Sequence, residues 1–246
     1  MNIFSYYFPV PGKPTEEEHN IINLWKLSWS LEKFIPKVLV EGDAKLHSFY
    51  DEFTQQIEDI HFKVMNEPLG EYGLSCWVRW LAYATIRDPH LSPFYVSDYD
   101  LINYNYKNFP PSKKLTLFNS HCPCIASGSY EQFDDLASLF IDLSNKNIDK
   151  IIKEKKEKNF GCYHDQEFIE IFHSVLIDQY NIDIIYPYHP RHLGCFPSLY
   201  GKQHCAALHF SNRAMQDLKD QSPYYANSPI NNVRIKHIKK VLGIDL

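Results

Sequence analysis

The residues best placed to do chemistry in this chain are two aspartates in Ser97-Asp98-Tyr99-Asp100. They follow directly on Phe94-Tyr95-Val96, a short apolar run of β-formers that predicts a buried strand. In an extended segment residues i and i+2 project to the same side, so Asp98 and Asp100 can present two carboxylates to one hard cation where the strand ends. Open α/β sheets bind their ligands at that carboxyl edge. Mg²⁺ and Mn²⁺ favour carboxylate oxygens supplemented by phosphate oxygens and water. An acidic turn that merely opens a loop has the same spelling, and spacing alone leaves both readings open.

A second grouping, His121-Cys122-Pro123-Cys124 with Cys162, His164, Cys195, His204 and Cys205 further on, raises zinc. No pair among them has the short Cys-Cys and His-His spacings of structural zinc sites. The 6 cysteines are read instead as small apolar residues, reduced in a cytoplasmic protein.

Composition narrows the function further. Gly is 9 of 246 residues, and GxGxxG, GxxxxGK[ST] and GxSxG are all absent from the sequence, which removes the main support for Rossmann dinucleotide binding, P-loop and α/β-hydrolase readings. A net charge of −5 lacks the basic field that phosphate backbones demand, so nucleic acid is not an expected partner. No apolar run reaches the ~18–20 residues of a membrane span. The N-terminal Met1-Asn2-Ile3-Phe4-Ser5 has no basic segment or long apolar core of a signal peptide.

The elements that must position the aspartates read as follows. Ile3 to Phe8 is a β-prone segment. Thr15 and Glu18 spell a capping box for a helix to about Lys33, with Ile21, Leu24, Trp25, Ser28 and Trp29 at helical spacing. Lys37 to Val40 is a second strand, and β-α-β in this order predicts parallel strands. Residues 44–64 are helical but irregular, and Glu71 to Ile86 is an amphipathic helix. Leu115 to Asn119 and Ile182 to Tyr186 are further strands, Leu208-His209-Phe210 is short and β-like, and Ser129 to Leu143, Asp165 to Tyr180 and Val233 to Leu242 are helices. The lysine-rich stretch 145–158 reads as a solvated helix or connection. Gly128-Ser129 is read as a turn and N-cap serine or as a close backbone approach to a ligand. A single α/β domain over 1–246 accounts for these, with 1–120 as a nucleotide-binding half and 121–246 as an acceptor half.

Several of these segments together resemble the metal-dependent GT-A glycosyltransferases that carry a DxD motif. Met1 to Phe8 looks like the first nucleotide-binding strand, Asn23 to Trp29 like the helix after it, and Tyr72 to Tyr83, with Trp77-Val78-Arg79-Trp80, like the helix leading into the DxD strand. Phe94 to Asp100 matches the strand and DxD, His164-Asp165-Gln166 resembles a later acidic motif, and Leu208 to Ser211 a C-terminal histidine segment. Where such families often carry Gly-Gly before the DxD strand, this chain has Arg87-Asp88-Pro89-His90-Leu91-Ser92.

The resemblance implies a GT-A-like, Rossmann-related domain with a mostly parallel central sheet flanked by helices. It implies Mn²⁺ or Mg²⁺ held by Asp98, Asp100 and the neutral ring of His209, bridging the two phosphates of a UDP- or GDP-sugar whose sugar passes to a hydroxyl acceptor. Asp98 is expected on the metal or the donor ribose. Arg79 is expected on Asp98 or the donor phosphates, or in a purely structural ion pair. Tyr6 or Tyr7 is expected to stack on the base or to pack in the core. Asp165 is the candidate general base, or the N-cap of its helix. Two rival readings use the same residues: a metal-dependent phosphoesterase or nucleotide-sugar hydrolase, and a non-catalytic binding module on the same scaffold.

Overall fold

A computed structural model describes residues 1–9, 15–103, 113–118, 124–184, 193–195, 207–211 and 228–244, together with 215, 216 and 220. Strands β1 (Asn2–Tyr6), β2 (Ile35–Leu39), β3 (Phe94–Ser97), β5 (Thr116–Leu117), β6 (Ile125–Gly128) and β7 (Asp183–Ile184) form one sheet in the order β2-β1-β3-β6-β5-β7. β1 runs parallel to β2 and β3, and β5 parallel to β7, while β6 is antiparallel to both its neighbours. The expected α/β class and mostly parallel sheet are therefore present. A second sheet, which the sequence pattern did not announce, joins β4 (Leu101–Asn103), β9 (Ala207–His209) and β8 (Leu193–Cys195) in the order β4-β9-β8. The large sheet draws β6 and β7 from the half after residue 120 and the other four strands from the half before it, so both halves share it.

Alternation along the strands divides the interior. Phe4, Tyr6, Phe94, Val96, Leu117 and Ala126 point to one face, covered by α3 (Tyr50–Met65), α4 (Glu71–Ala84), α5 (Tyr130–Lys146), α6 (Ile148–Lys158) and α7 (Asp165–Tyr180). Ile3, Tyr95 and Ile125 point to the other, covered by α1 (Thr15–Leu31), the small sheet and α8 (Ile230–Leu242). Trp77, fully buried on α4, packs against Phe140 of α5 at 5.0 Å and Phe168 of α7 at 6.3 Å between ring centroids, which ties these three helices together.

Local chemistry explains where the expected boundaries shift. β2 begins at Ile35 rather than Lys37, with Pro36 inside it, because it is an edge strand and an edge tolerates a residue without an N–H. The irregular stretch 44–64 resolves into a four-residue α2 (Glu41–Ala44) and α3, which ends on Asn66 in the left-handed region at φ 60°. Thr15 is already helical, and Glu18 accepts from the Tyr7 hydroxyl at 2.9 Å instead of turning back to cap the helix. Ser129 is the N-cap of α5, paired with Gln132. A Cβ on Gly128 would meet Leu115 Cδ1 at 2.9 Å, so the backbone here approaches its neighbour closely and glycine suits it. The lysine-rich helix α6 is more than a solvated face: Lys155 Nζ donates to the carbonyls of Val64 and Met65 at the C-terminus of α3, and Lys158 pairs with Glu170. The ends of two expected strands, at Asn119 and at residues 185–186, lie outside the described residues.

Candidate metal centre

Ser97 is the last residue of β3, and the chain turns there from the large sheet into the small one. The turn is fixed by its own backbone: Asp98 N donates to Cys124 O at 2.8 Å and Leu101 N to Asp98 O at 3.1 Å. Two indoles one helical turn apart on α1 hold its flanks. Trp25 Nε1 donates to Ser97 Oγ just before Asp98, and Trp29 Nε1 to Leu101 O just after Asp100, both at 3.0 Å. The Trp25/Ser28/Trp29 spacing visible in the sequence thus serves the acidic turn directly.

The small sheet brings in the histidine. β4 and β9 pair antiparallel with Leu101 opposite His209, and Phe210 N donates to Asp100 O at 2.9 Å. His209 Nε2 consequently lies 3.1 Å from Asp100 Oδ1 and 3.5 Å from Asp98 Oδ2. One ligand atom from each of Asp98, Asp100 and His209 falls within 4.8 Å of the other two. Two carboxylate oxygens and one imidazole nitrogen at this separation, with the aspartate side chains 24% and 14% exposed, suit a hard or borderline divalent cation reached from solvent on one side.

Each carboxylate turns its second oxygen to an arginine. Asp98 Oδ1 accepts from Arg79 Nη1 at 2.6 Å, and Asp100 Oδ2 lies 3.9 Å from Arg234 Nη2. Arg79 stands on α4 three residues after Cys76 and seven after Tyr72, on the helix face toward the aspartates. Arg234 stands on α8, is 3% exposed and also donates to Asn231 Oδ1 at 3.1 Å.

Burial and neighbours push the two aspartates apart. Burial raises the pKa of Asp98, more than Arg79 and His209 lower it. Burial also acts upward on Asp100, but His209 and Arg234 outweigh it and hold that carboxyl at about 2. Tyr72 and Cys76 sit close enough to this charge that both are raised, Cys76 mainly by burial and Tyr72 first by Cys76.

Asp165 also belongs to this neighbourhood, in a way the sequence did not foresee. It opens α7, is 2% exposed, and its Oδ2 accepts from Arg79 Nε at 3.0 Å, from Arg79 Nη2, and from Trp80 Nε1 at 2.7 Å. His164 Nδ1 is 3.4 Å from Asp165 Oδ1 and 2.9 Å from Glu167 Oε2. Burial acts to lower the His164 pKa, but Asp165 and Glu167 outweigh it and raise it to about 9, so both ring nitrogens carry protons at neutral pH and Nδ1–H faces Glu167. A longer contact of 3.4 Å from Gln166 N to the same nitrogen is secondary, since a protonated Nδ1 cannot accept. With Oδ2 committed to Arg79 and Trp80 and Oδ1 facing the His164 ring, Asp165 has the surroundings of a structural counterion rather than of a base facing an acceptor. It does not cap α7 either, because His164 occupies that position.

The two tyrosines part company. Tyr6, 8% exposed, belongs to the core under α3 to α7, where burial first, then Glu41 and Tyr50, raises its pKa. Tyr7, 6% exposed, has its hydroxyl on Glu18 and its ring 5.7 Å edge-on from Tyr99, the middle residue of the acidic turn. Neither lies open as a stacking platform. Tyr7 does border the site, whereas Tyr6 packs away from it. Of the residues that raised zinc, Cys124 is a buried free thiol and Cys162 a half-buried one. His121, Cys122, His204 and Cys205 and the side chain of Cys195 lie outside the described residues.

Arg234 is a site component absent from the sequence reading, and the hydrogen bonds of Trp25, Trp29 and Trp80 were likewise not read from it. The available signal for Arg234 was a lone arginine beside Val233 on the buried stripe of the last helix, where an unpaired charge is costly and a partner must exist. Protein-family models, curated proteins and solved structures give no match to this chain.

Proposed function

We propose that this chain is a metal-dependent glycosyltransferase, moving a sugar from a nucleoside-diphosphate donor, UDP- or GDP-linked, to a hydroxyl acceptor. One observation carries the reading: Asp98, Asp100 and His209 converge with ligand atoms within 4.8 Å at the carboxyl edge of a mostly parallel sheet. In this reading Asp98, Asp100 and His209 hold Mn²⁺ or Mg²⁺, and an imidazole among the ligands favours Mn²⁺ of the two. When bound, the cation supplies Lewis-acid stabilisation of the departing diphosphate. Arg79 and Arg234 fix the oxygens that face away from His209 and leave the other two turned inward. The free thiols at Cys76, Cys124 and Cys162 agree with a reducing compartment, and we place the protein in the cytoplasm. No described helix is long and apolar enough to cross a membrane.

The test is thermal denaturation with UDP-, GDP-, CMP- and dTDP-sugars, each with and without Mn²⁺. A ligand that binds only the native state raises the melting temperature by mass action. A rise for one nucleotide class that requires Mn²⁺ supports the reading, and the absence of a rise with every nucleotide overturns it. Sugar release from that donor at full rate without any acceptor would instead identify a nucleotide-sugar hydrolase.

A further inference from the structure

Asp98 divides its oxygens: Oδ1 takes Arg79 Nη1 at 2.6 Å, and Oδ2 faces His209 Nε2 at 3.5 Å. Arg79 reaches Asp98 with only one of its three nitrogens, because the other two are held by Asp165, 86 residues further along the chain. Asp165 is in turn held by the Trp80 indole and faced by His164. We infer that Asp165 is a positioning residue for the cation site, acting through Arg79 to keep that arginine on a single oxygen of Asp98.

The argument is geometric and electrostatic, and it rests on the reading of Asp98, Asp100 and His209 as a cation site. A guanidinium beside a lone carboxylate prefers the two-pronged pairing that covers both oxygens. Such a pairing would cover Oδ2 of Asp98 and leave the cation one ligand short. Asp165 opposes it by drawing Nε and one N–H of Nη2 to its Oδ2 from the far side, which turns the guanidinium so that Nη1 is the nitrogen that meets Asp98. Asp165 also shares the arginine's positive charge, which leaves Asp98 with negative charge to offer. The Trp80 hydrogen bond, at 2.7 Å, keeps the Asp165 carboxylate from following Arg79 forward. Trp80 is 1% exposed and adjacent to Arg79 on α4, so the clamp is built into one turn of helix and the first residue of another. Partners behind the direct ligands commonly set metal affinity in this manner.

Mn²⁺ affinity, read from the electron paramagnetic resonance signal of free Mn²⁺ without nucleotide, tests the inference on the full chain. Asp165→Asn keeps the shape and removes the charge that holds Arg79. It is expected to weaken Mn²⁺ binding by about 10- to 100-fold. In an Arg79→Met background the same Asp165→Asn change is expected to alter affinity by no more than about twofold, since nothing remains to be positioned. Trp80→Phe, which leaves every charge in place, is expected to weaken binding in the same direction by less, and serves if the buried charge variants do not fold. Near-ultraviolet circular dichroism of each variant establishes that it is folded. Wild-type affinity in folded Asp165→Asn overturns the inference, as does an equal loss in both backgrounds. If the wild-type chain itself binds no Mn²⁺, the cation reading falls and this inference with it, whereas wild-type binding with an indifferent Asp165→Asn defeats the inference alone.

Discussion

Leu101 and His209 are partners in the antiparallel pairing of β4 and β9, and this pairing sets an imidazole beside carboxylates more than a hundred residues earlier in the chain. The backbone bond from Phe210 to Asp100 continues the same ladder by one step, so the register is specified at the acidic turn itself. In a β-ladder a slip of one residue would turn His209 to the opposite face. The site therefore depends on the small sheet as much as on β3.

The first prediction concerns the ligands. Asp100→Ala and His209→Ala should each abolish the Mn²⁺-dependent part of any nucleotide-induced rise in melting temperature. Asp100 lies in the turn before β4 and His209 is the last residue of β9, so the apo fold should persist, with its melting temperature changed by a few degrees. Thermal denaturation with and without Mn²⁺ reads both quantities. Retention of a full Mn²⁺-dependent rise in Asp100→Ala would remove this aspartate from the site.

Acidity should act on the site through Asp98. Burial raises its pKa, so Asp98 takes up a proton at a higher pH than an ordinary carboxylate, while Asp100 stays ionised down to about 2. Mn²⁺ needs both carboxylates charged, so affinity should fall as pH drops through the Asp98 transition, well before Asp100 is affected. A raised carboxylate pKa also means that the ionised form is disfavoured in the fold without its cation. Asp98→Asn should accordingly leave the cation-free protein as stable as wild type or more stable at neutral pH, while Mn²⁺ binding is lost. Calorimetric titration of Mn²⁺ from pH 7 downward, beside melting curves of Asp98→Asn, measures both effects.

How much of this could be read in advance differs between the parts of the site. Asp98 and Asp100 were legible because an i, i+2 pair of acids after a β-forming run has a local geometric meaning. The helices were legible where their apolar stripes were regular, as over Asp165 to Tyr180. His209 carried little local signal, since its position follows from pairing between segments about a hundred residues apart. Asp165 stood out in the sequence as an acid where a helix begins, but its orientation was not legible, because the partners that turn it inward, Arg79 and Trp80, lie on another helix. The antiparallel insertion of β6 and the small sheet escaped for the same reason: a four-residue strand such as Ile125–Gly128 states neither its neighbour nor its direction.

Alkaline pH should loosen α7. The His164 pKa is raised from 6.5 to about 9 by Asp165 and Glu167 against the opposing effect of burial. A raised histidine pKa contributes stability that is complete below the unfolded value and is lost as pH rises through the folded one. The melting temperature should therefore decline between about pH 6.5 and 9 by more than in His164→Gln, which has no such proton to lose. The difference is at most about 3 kcal/mol, since each pKa unit corresponds to about 1.4 kcal/mol. Parallel pH profiles for the two proteins would show that His164 is not charged in the fold.

The last prediction tests how the acidic turn is held. Trp25→Phe and Trp29→Phe keep an aromatic ring in each pocket and remove one indole hydrogen bond, to Ser97 Oγ and to Leu101 O respectively. Each should cost about 1 kcal/mol of stability, the usual net worth of such a bond. Their effects on Mn²⁺ affinity should not simply add. The two bonds flank one short turn: with one lost the turn is still tethered to α1 at its other end, and with both lost it has no indole tether to α1 and relies on its backbone bonds to Cys124 and Phe210 and on the side chains that pair with its aspartates. Residues acting on one shared element couple in this way. The double variant is thus expected to weaken Mn²⁺ binding by more than the product of the single effects. Strict multiplicativity, measured by the same titration of free Mn²⁺, would mean that strand pairing alone fixes Asp98 and Asp100 and that the two indoles serve only the stability of α1 against the sheets.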